Sequence, residues 1–281
     1  MRQVIFCTLA LLLFSRTTIA QRAFYEDDED DPYEHKSYFM YGLNYLSNNV
    51  YLGRKDTVVI PYYSPYVGYH LKNGLYAKGM LSFTPAKGTH LDLTTLEIGY
   101  DHSFGDHFNG GINLDKLYYN KNSLNIRSST KGYGGIYGQY SNDWVEPQLS
   151  FDINKNKNST DYVTNFTLDH DFKLPDGKSH IIPLMATNIG TQHYYDEYFI
   201  TRLTKKDKTV KVKKVVADPG KYKPMDYEFS VKTTLMASKW LFMLMPTYAV
   251  PVNPAVVTLP NRIVTEKLSN SFYIELDICH R

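Results

Sequence analysis

Acidic side chains occur at alternate positions in several segments of this sequence, a pattern that can create an ion-binding surface. In a β-strand every second side chain lies on the same face, so these carboxylates would share one surface and the apolar residues between them the other. Rings of carboxylates favour cations and repel small anions. The predicted acidic surface consists of Glu97, Asp101, Asp115, Glu146, Asp152, Asp169, Glu228, Glu275 and Asp277, with Lys232 as one of its few bases.

Histidine and serine residues show no arrangement that predicts catalysis. The His-x-Ser pattern of membrane lipases occurs only at His35 and Ser37, before the first predicted strand, and no Gly-x-Ser-x-Gly sequence is present. The histidines also lack the spacing of metal ligands. We therefore predict no catalytic, cofactor-binding or metal-binding residues. The alternative is a barrel enzyme acting on envelope lipid, of the lipase or deacylase type.

The alternating pattern itself predicts the elements that position these side chains. In the last segment, Phe272, Leu276 and Ile278 alternate with Glu275 and Asp277. Similar segments recur from about residue 38 onward. They predict twelve strands, at 38–48, 60–71, 74–84, 90–103, 107–119, 132–141, 144–155, 161–173, 179–190, 226–237, 240–251 and 270–280.

The connections between these strands alternate in length. Tight turns rich in Gly, Asn and Asp follow the even-numbered strands, whereas the longest loops, including 120–131, 191–225 and 252–269, follow odd-numbered ones. Outer-membrane barrels combine an even strand number with short periplasmic turns and long extracellular loops. The sequence therefore predicts an all-β fold, a single transmembrane antiparallel up-and-down β-barrel of about 12 strands.

The segment 191–225 leaves an alternative of 14 strands. Residues 194–203 and 209–216 could form two more strands, but charged side chains would then face lipid, at about 2–4 kcal/mol for each lysine or arginine at mid-membrane. We therefore predict an extracellular basic loop or hairpin, which either is simply solvated or binds anionic polysaccharide or lipid phosphate. Its basic residues include Lys205, Lys206, Lys208, Lys211, Lys213 and Lys214.

The N-terminal region predicts export. Residues 1–20 have the basic start, the short apolar run and the small terminal residues of a signal peptide. Residues 21–36 contain an acidic run and predict a disordered periplasmic leader, and 37–281 would form the barrel. The predicted location is the outer membrane of a Gram-negative cell. The expected partners are outer-membrane lipid, lipopolysaccharide and the barrel-assembly machinery, and a net charge of +2 predicts no nucleic-acid partner.

Several short sequences resemble a known class of proteins. The run 41–54, Ser64-Pro65, Gly68-Tyr69, the run 73–76 and the run 99–101 are similar to segments of uncharacterised outer-membrane β-barrel proteins of Bacteroidota. This resemblance implies fold and location, and it brings no substrate or catalytic residue with it.

Two non-enzymatic functions follow from the predicted barrel. It could be a narrow channel for small cationic or neutral solutes, or a structural or surface-binding barrel. Leu241, Met243 and Met245 would lie on the inner face and indicate partial plugging. If the lumen is closed, some carboxylates should pair with Lys78, with Lys232 or with tyrosine hydroxyls.

Overall fold

The computed structural model describes residues 36–56, 58–86, 88, 90–206, 216–259 and 262–281. Within these ranges the chain forms seventeen strands and one helix. The twelve long strands are β1 (Tyr38–Leu46), β4 (Tyr62–His70), β5 (Leu75–Thr84), β6 (His90–Ser103), β7 (Phe108–Tyr119), β8 (Thr130–Tyr140), β9 (Glu146–Asn156), β10 (Thr160–Asp169), β12 (Ser179–Gly190), β13 (Lys223–Ala237), β14 (Trp240–Pro251) and β17 (Ser271–His280). The short elements are β2 (Val50–Tyr51), β3 (Arg54–Lys55), β11 (Phe172–Lys173), α1 (His193–Lys206), β15 (Val256–Leu259) and β16 (Arg262–Thr265).

The twelve long strands form one closed antiparallel barrel. Each pairs with the long strands before and after it in the chain, and β1 pairs with β17 to close the ring. The prediction of twelve strands is confirmed, and the alternative of fourteen is wrong. Closure leaves no long strand with an unpaired edge, which is what allows a sheet to be stable in lipid.

Side chains alternate between the inside and the outside of the barrel. In β4, buried and exposed residues alternate over the whole strand. In β14, Leu241, Met243 and Met245 are buried, whereas Phe242 and Leu244 are exposed. The outward face of the strands is therefore largely apolar, and the inward face contains polar and acidic side chains such as Glu97, Asp152 and Glu228.

The segment 191–225, predicted as a basic loop or hairpin, contains a helix, since 194–203 lies within α1. A helix satisfies its own backbone hydrogen bonds, so a loop outside the sheet can adopt it without a partner strand. Tyr194 and Tyr195 are buried, and Tyr198 follows Tyr194 by four residues on the same helical face. Lys205 and Lys206 lie in its last turn, whereas Lys208, Lys211, Lys213 and Lys214 lie outside the described residues.

Two further predictions also fall outside the described residues. They are the signal peptide at 1–20 and the acidic leader, of which only residue 36 is described. Within the described part of the chain, no helix is long and apolar enough to cross a membrane.

The long loops pack together at one end of the barrel and form a layer that we call the cap. It consists of the β2–β3 hairpin, the loop 120–129, α1 and the β15–β16 hairpin. Leu52, Ile126, Tyr194 and Val257 from these four segments share one hydrophobic cluster, with Met225 at the start of β13. Because the segments come from different points around the ring, the cap lies across the end of the lumen.

Candidate functional site

The residues predicted to form the acidic surface lie inside the barrel. Glu97, Asp101, Asp115, Asp152, Glu228, Lys232 and Asp277 are buried there. Asp169 and Glu275 line the central cavity, and Glu146 lies opposite Asp169 in the register of β9 and β10. The structure thus brings together side chains that are up to 180 positions apart in the sequence.

A cavity of about 250 Å³ occupies the middle of the lumen. Its polar wall includes Glu228, Lys232 and Asp169, and its apolar wall includes Met40 and Met245. The cavity is much narrower than the wide aqueous channels found in barrels of 16 or more strands. It can hold a few water molecules or one small solute.

Lys78 is the centre of the interior charge network. Its Nζ lies 3.1 Å from Glu97 Oε2, and the Tyr76 hydroxyl donates to Glu97 Oε1 at 2.9 Å. Asp115 lies opposite Glu97 in the register of β6 and β7. One lysine therefore compensates adjacent carboxylates, which could not all remain ionised in a buried wall without it.

A second group of contacts crosses the junction between the first and last strands. The Tyr66 ring lies over Gly42, where a Cβ atom would come within 2.6 Å of the ring. Its hydroxyl then donates to Asp277 Oδ1 at 2.7 Å, and Asn44 Nδ2 donates to Glu275 Oε1 at 2.7 Å. Only glycine leaves room for the ring at this position, so β4 reaches across β1 to β17.

Tyrosine hydroxyls recur as partners of the interior carboxylates. Tyr137 donates to Asp101 at 3.3 Å and Tyr273 donates to Glu228 at 3.5 Å, in addition to the Tyr66 and Tyr76 bonds. A hydroxyl donor stabilises the ionised carboxylate without cancelling its charge. The interior carboxylates are therefore hydrogen-bonded to tyrosine hydroxyls, as expected for the closed form of the predicted lumen.

Sequence reasoning missed Arg127, which enters the lumen from the loop between β7 and β8. Its guanidinium lies 4.1 Å from the centre of the Tyr51 ring and 5.5 Å from that of Tyr133, and Nη2 donates to Asn154 at 3.2 Å. Arg127 also lines the central cavity. A single arginine in a polar loop carries no periodic signal, so the sequence could not assign it to the interior.

Arg54 holds the cap together. Its guanidinium donates to the backbone carbonyls of Leu52 at 3.0 Å and Asn253 at 3.0 Å, and lies 3.4 Å from Glu266 Oε2. Glu266 Oε1 in turn accepts the Tyr195 hydroxyl at 2.7 Å. Burial, together with the Glu266 charge, raises the pKa of Tyr195 above its usual range, so this hydroxyl remains a donor at any physiological pH.

The N-terminus of α1 is fixed by a side chain from the barrel wall. Asp161 on β10 accepts the backbone N–H of His193 through Oδ1 and that of Tyr194 through Oδ2, both at 2.7 Å. A carboxylate at this end satisfies free N–H groups and complements the helix dipole. The cap is thereby attached to the barrel by a polar contact as well as by its hydrophobic cluster.

Titratable groups do not assemble into a metal centre in the described part of the chain, where no group of three or more His, Cys, Asp or Glu side chains could hold an ion. One cluster does combine a serine, a histidine and a carboxylate. Ser123 Oγ donates to Asp92 Oδ2 at 2.8 Å, and His90 Nε2 lies 3.6 Å from Asp92 Oδ1. The carboxylate stands between the other two, whereas nucleophilic catalysis needs the histidine beside the serine.

Comparison with solved structures shows similarity to other barrels. The chain is 8% identical to the KdgM porin, with 86% of this chain and 98% of that chain covered and a TM-score of 0.49. It is 8% identical to a bacterial polysaccharide outer membrane secretin, with coverage of 88% and 99% and a TM-score of 0.45. For LpxR from Salmonella typhimurium the identity is 10%, the coverage 86% and 99%, and the TM-score 0.40.

These neighbours are outer-membrane β-barrels, and at such low identities the likeness is one of fold. No family model and no curated protein matches the sequence.

Proposed function

We propose that this protein is a non-enzymatic outer-membrane β-barrel whose narrow acidic lumen admits small cationic or neutral solutes. The location is supported by two girdles of exposed aromatic residues on the outer wall. One, at the long-loop end, contains Tyr63, Tyr118, Tyr162, Tyr227 and Tyr248; the other, at the short-turn end, contains Phe39, Tyr41, Tyr69, Tyr140 and Trp240. Amphipathic rings of this type favour the two membrane–water interfaces.

The distance between the girdles fits a bilayer. The wall between them is aliphatic and exposed, as at Val67, Ile98, Leu114 and Leu276. On β7, Phe108 lies at the short-turn end and Tyr118 belongs to the girdle of the long-loop end. The ten-residue step between them covers roughly 34 Å at ~3.4 Å per residue, and a strand tilt of about 40° reduces its height across the membrane to roughly 26 Å. Outer-membrane barrels have an apolar band of about 25 Å. The long loops would then face outward and the tight turns the periplasm.

The observation that supports the proposed selectivity is the excess of acidic over basic side chains in the wall of the lumen. Among the described residues that line the cavity, four are carboxylates and three are bases. The carboxylates are Asp169, Glu228, Glu275 and Asp277, and the bases are Lys78, Arg127 and Lys232. A wall with this balance attracts cations and excludes small anions. The small cavity and the cap over it support a low conductance.

The experiment is a measurement of single-channel currents of the purified full chain in planar bilayers. Under a KCl gradient the reversal potential should show preference for K⁺ over Cl⁻. Neutralising Glu228 and Asp169 together (E228Q/D169N) should reduce that preference, because both side chains line the cavity. Absence of any current steps would refute the channel, and unchanged selectivity of the variant would refute the acidic wall as its cause.

A matched control is D106N/D143N, which removes two carboxylates from exposed turns, one between β6 and β7 and one between β8 and β9. This variant should keep the wild-type selectivity. A loss of selectivity equal to that of E228Q/D169N would mean that overall charge, and not the lumen wall, determines the preference.

The barrel enzyme remains the alternative, and it is tested separately. The Asp92 cluster contains the residue types of a hydrolase in an order that does not activate Ser123. Incubation of the purified barrel with labelled lipid A or phospholipid should therefore give no product. Hydrolysis that disappears in S123A would overturn the non-enzymatic assignment. We also propose that the protein belongs to the Bacteroidota class of outer-membrane barrels, because of the sequence resemblance described above.

A further inference from the structure

A row of lysines lies on the outer wall of the barrel, near the long-loop end. The strand register places Lys116 of β7, Gly132 of β8 and Lys155 of β9 side by side. Both lysines are exposed, while their sequence neighbours Asp115 and Asn154 are buried inside. The two ammonium groups are therefore directed outward from strands about 10 Å apart.

The gap between these lysines has no side chain of its own, because the residue between them is Gly132. Lys131, the extra residue of a β-bulge in β8, is exposed at the same end. The row continues through Leu96 on one side and Thr160 on the other, and none of these described positions carries a carboxylate. Along this row of described residues the patch is therefore positively charged.

An apolar trough begins directly below the lysine row. The next outward row, about 7 Å towards the periplasmic end, contains Ile98, Leu114, Gly134 and Ile153. Together with the following row, at Ile112, Ile136 and Phe151, it lines an outer groove of about 780 Å³. Gly134 again contributes no side chain, so the groove follows β8 between the walls of β7 and β9.

A cationic pair at one end of an apolar trough matches the chemistry of an anionic lipid. Lys116 Nζ lies 5.7 Å from the centre of the Tyr118 ring, and Tyr118 belongs to the aromatic girdle of the long-loop end. Lipid phosphates occupy the same depth as such a girdle, and acyl chains occupy the depth of the trough. Charge and polarity thus agree along the whole length of the groove.

We propose that this face binds lipid A, the phosphorylated and acylated anchor of lipopolysaccharide, with a phosphate between Lys116 and Lys155 and an acyl chain along β8. The inference rests on the proposed membrane orientation, because only then does the lysine row face the outer leaflet. In this proposal the outer face of β7, β8 and β9 binds lipid. The inner face of the same strands carries the acidic side chains of the lumen.

The test is native mass spectrometry of the full-length barrel released from detergent micelles, after titration with lipid A. The double variant K116Q/K155Q should bind lipid A about 30-fold more weakly, as expected for loss of two lysine contacts with an anionic headgroup. The matched control K72Q/K239Q removes two exposed lysines from turns at the opposite end and should bind like the wild type. Equal affinity of K116Q/K155Q and the wild type would overturn the proposal.

Two further arms separate the headgroup from the acyl chain. Lipid A from which the phosphates have been removed should bind the wild type as weakly as lipid A binds K116Q/K155Q. The variant G134V should weaken binding by filling the trough. Its added Cβ would approach the flexible end of Leu114 to 2.8 Å and would make an ordinary contact of 3.7 Å with the Asn113 carbonyl oxygen. Equal binding of dephosphorylated lipid A, equal binding of phosphatidylglycerol, or unchanged binding by G134V would each overturn the assignment.

Failure of the proposed function is distinguished by the gel mobility of the same samples. A folded outer-membrane barrel changes mobility on boiling, and a protein that shows no such change would overturn both the membrane location and the lipid site. A heat-modifiable barrel that fails only in lipid binding overturns the lipid site alone.

Discussion

The middle of the barrel and its cap are held together in different ways. In the middle, polar contacts join side chains on the same or nearby strands of the sheet. Lys78 on β5 pairs with Glu97 on the neighbouring β6, and Tyr137 on β8 reaches Asp101 on β6, two strands away. In the cap, Arg54 contacts segments far away in the sequence, from Met225 to Glu266, and most of its partners are backbone carbonyls. The middle is thus built into the sheet, whereas the cap is a separate layer attached to it, and we expect the two to loosen independently.

Removal of Arg54 should have the largest effect, and only on the cap. The variant R54M leaves Glu266 and several carbonyls without their buried cation, which costs roughly 3–5 kcal/mol. Limited proteolysis of the segment 191–225 should become faster. The temperature at which the folded barrel converts to the unfolded form, seen as a change of gel mobility, should stay the same. R54K, which keeps the charge but loses the planar fork, should lie between R54M and the wild type. If R54M also lowers the unfolding temperature of the barrel, the cap and the barrel form one cooperative unit.

Removal of Lys78 should affect the barrel and leave the cap intact. In K78M the Glu97 carboxylate remains buried beside Asp115 without its cation, at a cost of about 3 kcal/mol. The unfolding temperature of the barrel should fall, and cleavage of the cap should not accelerate. The double variant K78M/E97Q should recover much of the lost stability, because the uncompensated charge is then absent. No recovery would mean that Lys78 acts through packing.

The smallest expected effect lies at the contact between the two regions. In D161N an amide replaces the carboxylate that accepts two N–H groups of α1, at a cost of about 1 kcal/mol. Hydrogen exchange in His193–Lys206 should become faster, while exchange in β10 should not change. A control variant on the same strand, N165S, touches no N–H group of α1 and should leave α1 protected. Equal exchange of α1 in D161N and the wild type would show that the cluster around Tyr194 alone holds the helix.

The sequence predicted the barrel well because its signal is local. The strands β6, β12 and β14 begin and end at the predicted residues, since alternation over ten or more positions is decided by neighbouring residues. The acidic interior followed from the same alternation. The hydrogen-bond and salt-bridge partners of each carboxylate could not be predicted, because strand register cannot be obtained from a single sequence.

The cap was predicted poorly for a related reason. Its loops contain no strand alternation, and the helix α1 gains stability from burial of Tyr194 and Tyr195 against residues distant in the chain. The contacts of Arg54 and Arg127 are likewise non-local. The charges in 191–225 correctly argued against two more membrane strands, but they contained no information on which other structure would form.

The Tyr66 contact has a consequence for how the barrel is made. Tyr66 is on the second long strand and its hydrogen-bond partner Asp277 is on the last, so the bond can form only when the two ends of the sheet have met. A register error of one residue between β1 and β17 would turn Asp277 to the outside, and an error of one residue between β1 and β4 would remove Gly42 from beneath the ring. A side chain of the early part of the chain thus distinguishes a correctly closed ring from a misaligned one.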